Sequence, residues 1–345
     1  MKWVDRRRKL CLCSFGMLLT SGCGGQTAHP PAPIVHPLPF HVVTPKNVNG
    51  TAADYSLALD RLVLVSDDDN AVHLLDGRTL ADRAIALPQA PEYVSISPDG
   101  LHAAVCHQHA VSYVDLSAGR VVGTYPTEPT YPTPWSLAVG NDGYIYGASG
   151  QALFAIDTGT GALISPLLTG GLAQVDGVRL GPDGTVLWAC TDQGMQRIAV
   201  HGSQATLAPS SGHGTTCSSL FWRSRYGARL YDGLSVYDAS DLSILVYYLG
   251  KGASWVDDPE GGRPIAAIGS MQGGDALQLF DPRVVAHPPD ASEIDPESST
   301  PLPSMNTGSG TSPTQGLAVF YDTAGTTRFV LVRAIDTRKD GIVAM

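Results

Sequence analysis

A repeated strand–turn–strand pattern is the feature of this sequence that most restricts its fold. The three clearest copies are alternating apolar strands that end in a glycine turn, at residues 93–100, 136–143 and 177–184. A second strand follows each turn, and the third strand often ends in Asp, as at 111–115 and 153–157. A unit of about 40 residues cannot bury both of its faces alone, so such units stack against one another.

The same plan extends to seven units and covers most of residues 54–345. No segment shows sustained helical periodicity, so the sequence predicts an all-β fold, a seven-bladed β-propeller of four-stranded antiparallel blades. The last unit starts at Gln315 and ends after its third strand, and residues 40–44 form an orphan strand before the first unit. We expect this N-terminal strand to complete the last blade, because the pairing closes the ring and removes an exposed edge.

The Pro-Asp-Gly turns at 98–100 and 182–184, together with third strands that end in Asp, resemble the YVTN-type repeats of bacterial surface propellers. The resemblance is clear in units two to four and weaker in units five to seven. WD40 repeats match less well, because no unit has the Gly-His and Trp-Asp pair. The resemblance implies the fold and leaves the function open, since one fold serves many functions.

The first residues have the pattern of an export signal, with basic residues within 2–9 and an apolar run from Leu10 to Leu19. That run is too short to span a membrane as a helix, which needs about 20 residues. The sequence Ser-Gly-Cys at 21–23 resembles the lipobox of bacterial lipoproteins, which implies cleavage before Cys23 and acylation of that residue, as by palmitate. The alternative is an ordinary signal peptide with a chance cysteine. Gly24 follows, and in lipoproteins the absence of Asp there implies the outer membrane, facing the periplasm or the cell surface.

The sequence therefore predicts a signal peptide at 1–22, a flexible tether at 23–39 and a propeller domain at 40–345. The tether is rich in Gly, Pro, Ala and His and has no apolar periodicity. Residues 286–313 are rich in Pro, Ser, Thr and Gly, which predicts a long loop between blades six and seven.

The formal net charge is −10, and removal of the basic leader makes the remainder more acidic still. Proteins that bind nucleic acid need a basic surface, so the charge argues against that class. No Gly-x-Ser-x-Gly, His-Glu-x-x-His or haem-attachment motif occurs, so no motif implies a cofactor or a catalytic centre. We expect a monomer that contacts the membrane through the lipid at Cys23.

A ring of side chains is predicted at the mouth of the central channel, where the loops lead into the inner strands. Alignment of the inner strands places the following side chains at or within one residue of an equivalent position: Tyr55, Glu92, Trp135, Asp176, Trp255 and Gln315. Aromatic, acidic and amide groups together would suit a polar ligand or a peptide. The alternative is that these side chains pack between the blades.

Arg179 stands where the aligned units have a small residue; the aligned residues are Ala58, Ser95, Ala138 and Ala318. A long cation there would reach into the channel towards Asp176 or Glu92. A structural ion pair is the alternative to a binding role.

Two polar clusters could hold a metal ion. Residues 67–70, Asp-Asp-Asp-Asn, could bind Ca²⁺, but they lack the spacing of a calcium loop, and a solvated acidic turn is the alternative. His107 and His109 lie in the equivalent loop of blade two and supply only two ligands, so no metal site is predicted.

Three cysteines follow Cys23, which allows at most one disulfide in an oxidising compartment. Cys190 and Cys217 are the best candidates, because both should lie on the same rim. Cys106 occupies the same repeat position as Cys190 and is expected to be a small buried residue.

Two functions fit these observations. The first is a non-catalytic binding or scaffolding module of the cell envelope, whose partner is a protein, a peptide or a glycan. The alternative is a propeller enzyme of lactonase-like or quinoprotein-like type that uses the channel, for which Arg179, Asp176 and Glu92 are the first residues to test. That alternative rests on analogy of fold alone.

Overall fold

The computed structural model describes residues 32–45, 51–127, 134, 136–149, 152–168, 172, 174–208, 217, 220–232, 235–246, 248–249, 253–271, 274–283 and 293–345. The segment Pro33–Met345 is one compact unit. Its described residues contain seven four-stranded antiparallel sheets, which we number as blades one to seven in chain order. The predicted all-β propeller with seven blades is confirmed.

The strands of each blade are given from the channel outwards. Blade one consists of Ala53–Ser56, Arg61–Ser66, Ala71–Leu75 and Asp82–Ala86. Blade two consists of Pro91–Ile96, His102–His107, Ala110–Asp115 and Arg120–Pro126. Blade three consists of Ser136–Val139, Tyr144–Ala148, Leu153–Asp157 and Leu163–Ile164. Blades four and five consist of Val175–Leu180, Val186–Thr191, Gly194–His201 and Gln204–Leu207; and Trp222–Arg223, Arg229–Tyr231, Val236–Asp238 and Ile244–Val246. Blades six and seven consist of Ala253–Asp257, Ile265–Met271, Gly274–Phe280 and Ser298–Pro301; and Thr314–Tyr321, Arg328–Ala334, Asp340–Ala344 and Val35–Pro37.

The second and third strands of a blade are buried on both faces, because each blade packs between two others. In blade one, residues 62–65 of the second strand are at most 1% exposed, whereas the outer strand Asp82–Ala86 is exposed except at Ile85. A continuous apolar run such as Leu-Val-Leu-Val therefore forms a strand with two buried faces. The innermost strands of blades one and seven contact each other, which closes the ring.

The turn after the innermost strand requires a left-handed backbone. Gly100 and Gly184 have φ of 74° and 76° there. Glycine adopts this conformation without a Cβ clash, which explains the repeated glycine of the turn. Blade one lacks that glycine, and Asp60 adopts a φ of 52° in its turn instead.

The N-terminal strand that closes the last blade is Val35–Pro37, which lies before the predicted segment 40–44. Val35 pairs with Val343, and Pro37 pairs with Gly341. The propeller therefore begins before the predicted boundary at residue 40. The short sequence Val-His-Pro has little strand character, but proline is tolerated on an edge strand because its missing N–H faces away from the sheet.

Residues 40–44, which we call the latch segment, cross from blade seven to blade one. Val42 forms an isolated bridge with Ser66 of blade one. In blade seven, Asp340 Oδ2 accepts a hydrogen bond from the Val42 N–H at 2.7 Å. Arg333 of the same blade donates to Val42 O and to Thr44 Oγ1. The latch segment therefore joins the last blade to the first by side-chain hydrogen bonds to blade seven and an isolated backbone bridge to blade one, rather than by a full strand.

The region 286–313, predicted as a loop, contains the outer strand of blade six, Ser298–Pro301. Most of this strand is exposed, so it needs no alternation of apolar residues. Its polar sequence therefore did not indicate a strand. Short pairs of strands flank it: Glu293–Ile294 with Tyr248–Leu249, and Met305–Asn306 with Thr311–Ser312.

Cys190 and Cys217 form a disulfide with Cα atoms 5.8 Å apart. Cys106 is buried and free, and burial raises the pKa of its thiol far above the ordinary value. Within the described ranges, no helix is long and apolar enough to cross a membrane.

Candidate functional site

A cavity of about 150 Å³ lies in the central channel, next to the turns that follow the innermost strands. We call it the chamber. The charged and aromatic side chains that line it and carry the argument are Asp54, Arg179, Trp222, Arg223, Trp255 and Asp257. They come from blades one, four, five and six, so only the closed ring brings them together.

Asp54 is held by backbone N–H groups. Its Oδ1 accepts from the Tyr55 N–H at 2.8 Å, and its Oδ2 accepts from the Ile96 N–H of blade two at 3.3 Å. Burial raises the pKa of Asp54, and the Tyr55 N–H together with the nearby Arg223 and Arg179 partly offsets this. Both oxygens of this carboxylate are thus already engaged by the backbone.

Asp257 has a similar position between blades six and seven. Its Oδ2 accepts from the Tyr321 N–H at 2.7 Å. Burial raises the pKa of Asp257 to about 6, against the lowering effects of that N–H and of Arg225. Asp257 therefore titrates closer to neutrality than an exposed aspartate does.

Two arginines face these aspartates. Arg179 Nη1 donates to Val178 O at 2.9 Å, and the guanidinium lies 5.6 Å from the centre of the Phe221 ring. Arg223 Nη1 donates to Arg225 O at 3.1 Å. Burial lowers the pKa of both Arg179 and Arg223, and Asp54 raises it. Both residues are half-buried, and both line the chamber.

The attraction between these charges acts across the chamber rather than by contact. In the part of the chain that the structure describes, the ion pairs of arginine within 4.0 Å lie elsewhere, at Arg61, Arg78, Arg229, Arg283 and Arg333. Separated, half-buried charges around a cavity are the arrangement expected of a polar binding site.

The aromatic rings of Trp222, Trp255 and Phe320 also line the chamber. The ring centres of Trp222 and Trp255 are 5.7 Å apart, and those of Trp255 and Phe320 are 5.3 Å apart. Trp222 is 8% exposed, and its indole N–H has no hydrogen-bond partner among the described residues. A second cavity of about 170 Å³ lies beyond the two tryptophans and is lined by residues 42–45, so the latch segment occupies that side of the channel.

The structure brings some of the predicted mouth residues together and not others. Tyr55, Arg179 and Trp255 line the chamber. Glu92, Asp176 and Gln315 do not: Asp176 Oδ1 accepts from Gln174 Nε2 at 2.7 Å, and Gln315 lines a separate cavity between blades six and seven. Trp135 lies outside the described residues. Of the residues named for an enzyme, only Arg179 is in the chamber.

Asp54 was missed because blade one was aligned in the wrong register, whereas Arg223 and Asp257 belong to blades five and six, where the repeat pattern is weak. Equivalent residues of the innermost strands lie two before Ser56, Ser97, Gly140 and Gly181 in blades one to four. They are Asp54, Ser95, Ala138 and Arg179. The sequence alignment placed Ala58 there, since blade one lacks the Asp-Gly turn. In blade seven the equivalent of Arg179 is Phe320 rather than Ala318, because Phe320 pairs with Phe329 as Arg179 pairs with Trp188.

The predicted metal candidates are separate from the chamber. Asp67, Asp68 and Asp69 are exposed in their turn. Both ring nitrogens of His107 are engaged, with Ala90 O at 3.0 Å and with Ser112 Oγ at 2.8 Å. Among the described residues, no group of three or more His, Cys, Asp or Glu side chains could hold a metal ion.

Comparison with known proteins places the fold alone. No family model and no curated protein matches the sequence. One similar structure is the crystal structure of a mitotic checkpoint complex, with 13% identity, a TM-score of 0.63 and 98% of this chain and 99% of that chain covered. Another is the structure of U3-55K, with 10% identity, a TM-score of 0.57 and 90% and 99% covered.

Proposed function

We propose that this chain is a non-catalytic binding module of the cell envelope, anchored by lipid at Cys23, and that a protein partner engages the chamber. The observation that carries the proposal is the set of half-buried arginines and aspartates around a cavity that only the closed ring can form. Charged and aromatic groups that converge on one cavity are typical of recognition sites.

The proposed location at the cell envelope rests on the sequence. The basic start, the short apolar run and Ser-Gly-Cys at 21–23 support export and acylation, and Gly24 favours the outer membrane. The YVTN-type resemblance of blades two to four fits a propeller of a bacterial surface. The mitotic checkpoint complex shows that a similar fold occurs in a protein assembly.

Purification from solubilised membranes tests the proposal. We expect one partner protein to be recovered with the native chain and with the control Arg283→Ser, whose side chain is 86% exposed. We expect it to be lost with Arg179→Ser, which introduces the residue that blade two has at the equivalent position. Recovery that does not depend on Arg179, or a Cys23→Ser variant that stays in the membrane fraction, would contradict the proposal.

A further inference from the structure

We propose that the chamber binds a carboxylate group that carries an apolar substituent, held between the guanidinium groups of Arg179 and Arg223. The inference rests on the proposed function, because it names the chemistry of the ligand at the same site. It predicts a monoanion rather than a metal, a sugar or a dianion.

Among the described residues, the aspartates of the chamber form no ion pair within 4.0 Å with Arg179 or Arg223. Both oxygens of Asp54 accept backbone N–H groups, and Oδ2 of Asp257 accepts the Tyr321 N–H. These bonds hold the carboxylates against the ring wall. The hydrogen bonds of Arg179 and Arg223 to described residues come from Nη1 alone, which leaves Nε and Nη2 of each as available donors.

A carboxylate matches those donors in shape and charge. The planar guanidinium fork binds the two oxygens of a carboxylate in parallel, and such charge-assisted bonds are about twice as strong as neutral ones. Trp222, which lines both the chamber and the second cavity, has a buried indole N–H without a partner among the described residues. A bound acceptor there would remove the cost of leaving it unsatisfied.

The remaining walls select the rest of the ligand. The rings of Trp222, Trp255 and Phe320 offer an apolar surface beside the arginines. Asp54 and Asp257 also line the chamber, and their carboxylates disfavour a second negative charge on the ligand. The chamber therefore favours an aliphatic or aromatic monocarboxylate over phosphate. Such a group could come from a free organic acid or from the C-terminus of a partner peptide.

Calorimetric titration of the full-length protein in detergent tests the inference. The probes are 3-phenylpropionate, its amide, acetyl-Ala-Phe with a free or an amidated C-terminus, and inorganic phosphate. We expect the free acids to bind and the amides and phosphate to bind at least tenfold more weakly. Arg179→Ser and Arg223→Leu should each weaken binding by about tenfold to a hundredfold, as the loss of a charge-assisted hydrogen bond implies. Arg283→Ser should have no effect.

The outcomes separate the sources and the two proposals. Binding of 3-phenylpropionate alone indicates a free organic acid, and tighter binding of the free-acid peptide than of 3-phenylpropionate indicates a peptide terminus. Any of three results overturns the inference: the acid and its amide bind equally, binding is unchanged in both arginine variants, or no carboxylate binds. If partner recovery depends on Arg179 but no carboxylate binds, the proposed function stands and this inference fails. If a carboxylate binds but no partner protein is recovered, this inference stands and the proposal of a protein partner fails. Circular dichroism of each variant verifies that it is folded.

Discussion

Arg333 is expected to contribute more to stability than any exposed arginine, because it neutralises a buried aspartate. Arg333 Nε donates to Asp340 Oδ1 at 2.6 Å, and the Asp340 side chain is fully buried while that of Arg333 is 11% exposed. Replacement of Arg333 with methionine keeps the apolar stem and removes the charge. Breaking a buried pair on one side costs about 3–5 kcal/mol. The variant also loses the bonds to Val42 O and Thr44 Oγ1 that hold the latch segment.

Urea denaturation at pH 7 measures the effect, with Arg283→Met as the matched control. Arg283 Nη2 also lies 2.6 Å from an aspartate, Asp281, but its side chain is 86% exposed. Water screens an exposed pair, so we expect no measurable change in the control. The double variant Arg333→Met/Asp340→Leu should be more stable than Arg333→Met, because it buries no unpaired charge.

The double variant distinguishes a buried charge from lost packing. If Arg333→Met and Arg283→Met were equally stable at pH 7, or if Arg333→Met/Asp340→Leu were no more stable than Arg333→Met, the assignment of Arg333 and Asp340 as a buried ion pair would be refuted.

Three further predictions concern the turns, the free thiol and the chamber. Gly184→Ala should cost about 1–2 kcal/mol for its left-handed backbone, and Gly100→Ala should cost more, because its Cβ would also lie 3.1 Å from Ser56 Oγ; urea denaturation compares them. Cys106 should resist alkylation by iodoacetamide at pH 8 in the folded protein and react once it is unfolded, since burial raises the pKa of its thiol; mass spectrometry scores the adduct. Burial raises the pKa of Asp257 to about 6, above the value of about 4 in an unfolded chain. The folded state therefore binds this proton more tightly, and the stability that the proton contributes is lost as the pH rises from about 4 through 6. As the pH rises over that range, the free energy of unfolding of Asp257→Asn should therefore increase relative to that of the native chain. The prediction fails if the difference in free energy of unfolding between the two proteins is the same at pH 4 and pH 7.

The ring could be predicted from the sequence because its inner strands carry strong signals. The Asp-Gly turns of blades two to four place a left-handed residue at a fixed point, and buried second and third strands must be apolar on both faces. The outer strands carry no such constraint. Val35–Pro37 and Ser298–Pro301 each pair along one edge and are exposed at most positions, so their sequences hold little of the pattern that defines a strand.

The chamber could be predicted only where the register was correct. Arg179 follows the register of blades two to four, and it was identified as an unusual cation in a small-residue position. Asp54 sits in the one blade whose turn lacks glycine, and its partners in the chamber are distant in sequence. Their convergence depends on the curvature of the ring, which a repeat pattern does not specify.

The charges of the chamber are costly to the fold, and that cost argues that they serve recognition. Burial raises the pKa of Asp257 and lowers the pKa of Arg179, so the folded state holds each charge less favourably than water does. Blades two and three form complete sheets with Ser95 and Ala138 at the position of Arg179, so the blade itself needs no charge there. Residues that break a local rule without benefit to packing are expected at functional sites. Arg179→Ser should therefore keep the midpoint of urea denaturation close to that of the native chain while it weakens carboxylate binding in the chamber by about tenfold to a hundredfold. A loss of stability in proportion to the loss of binding would show that the arginine is structural.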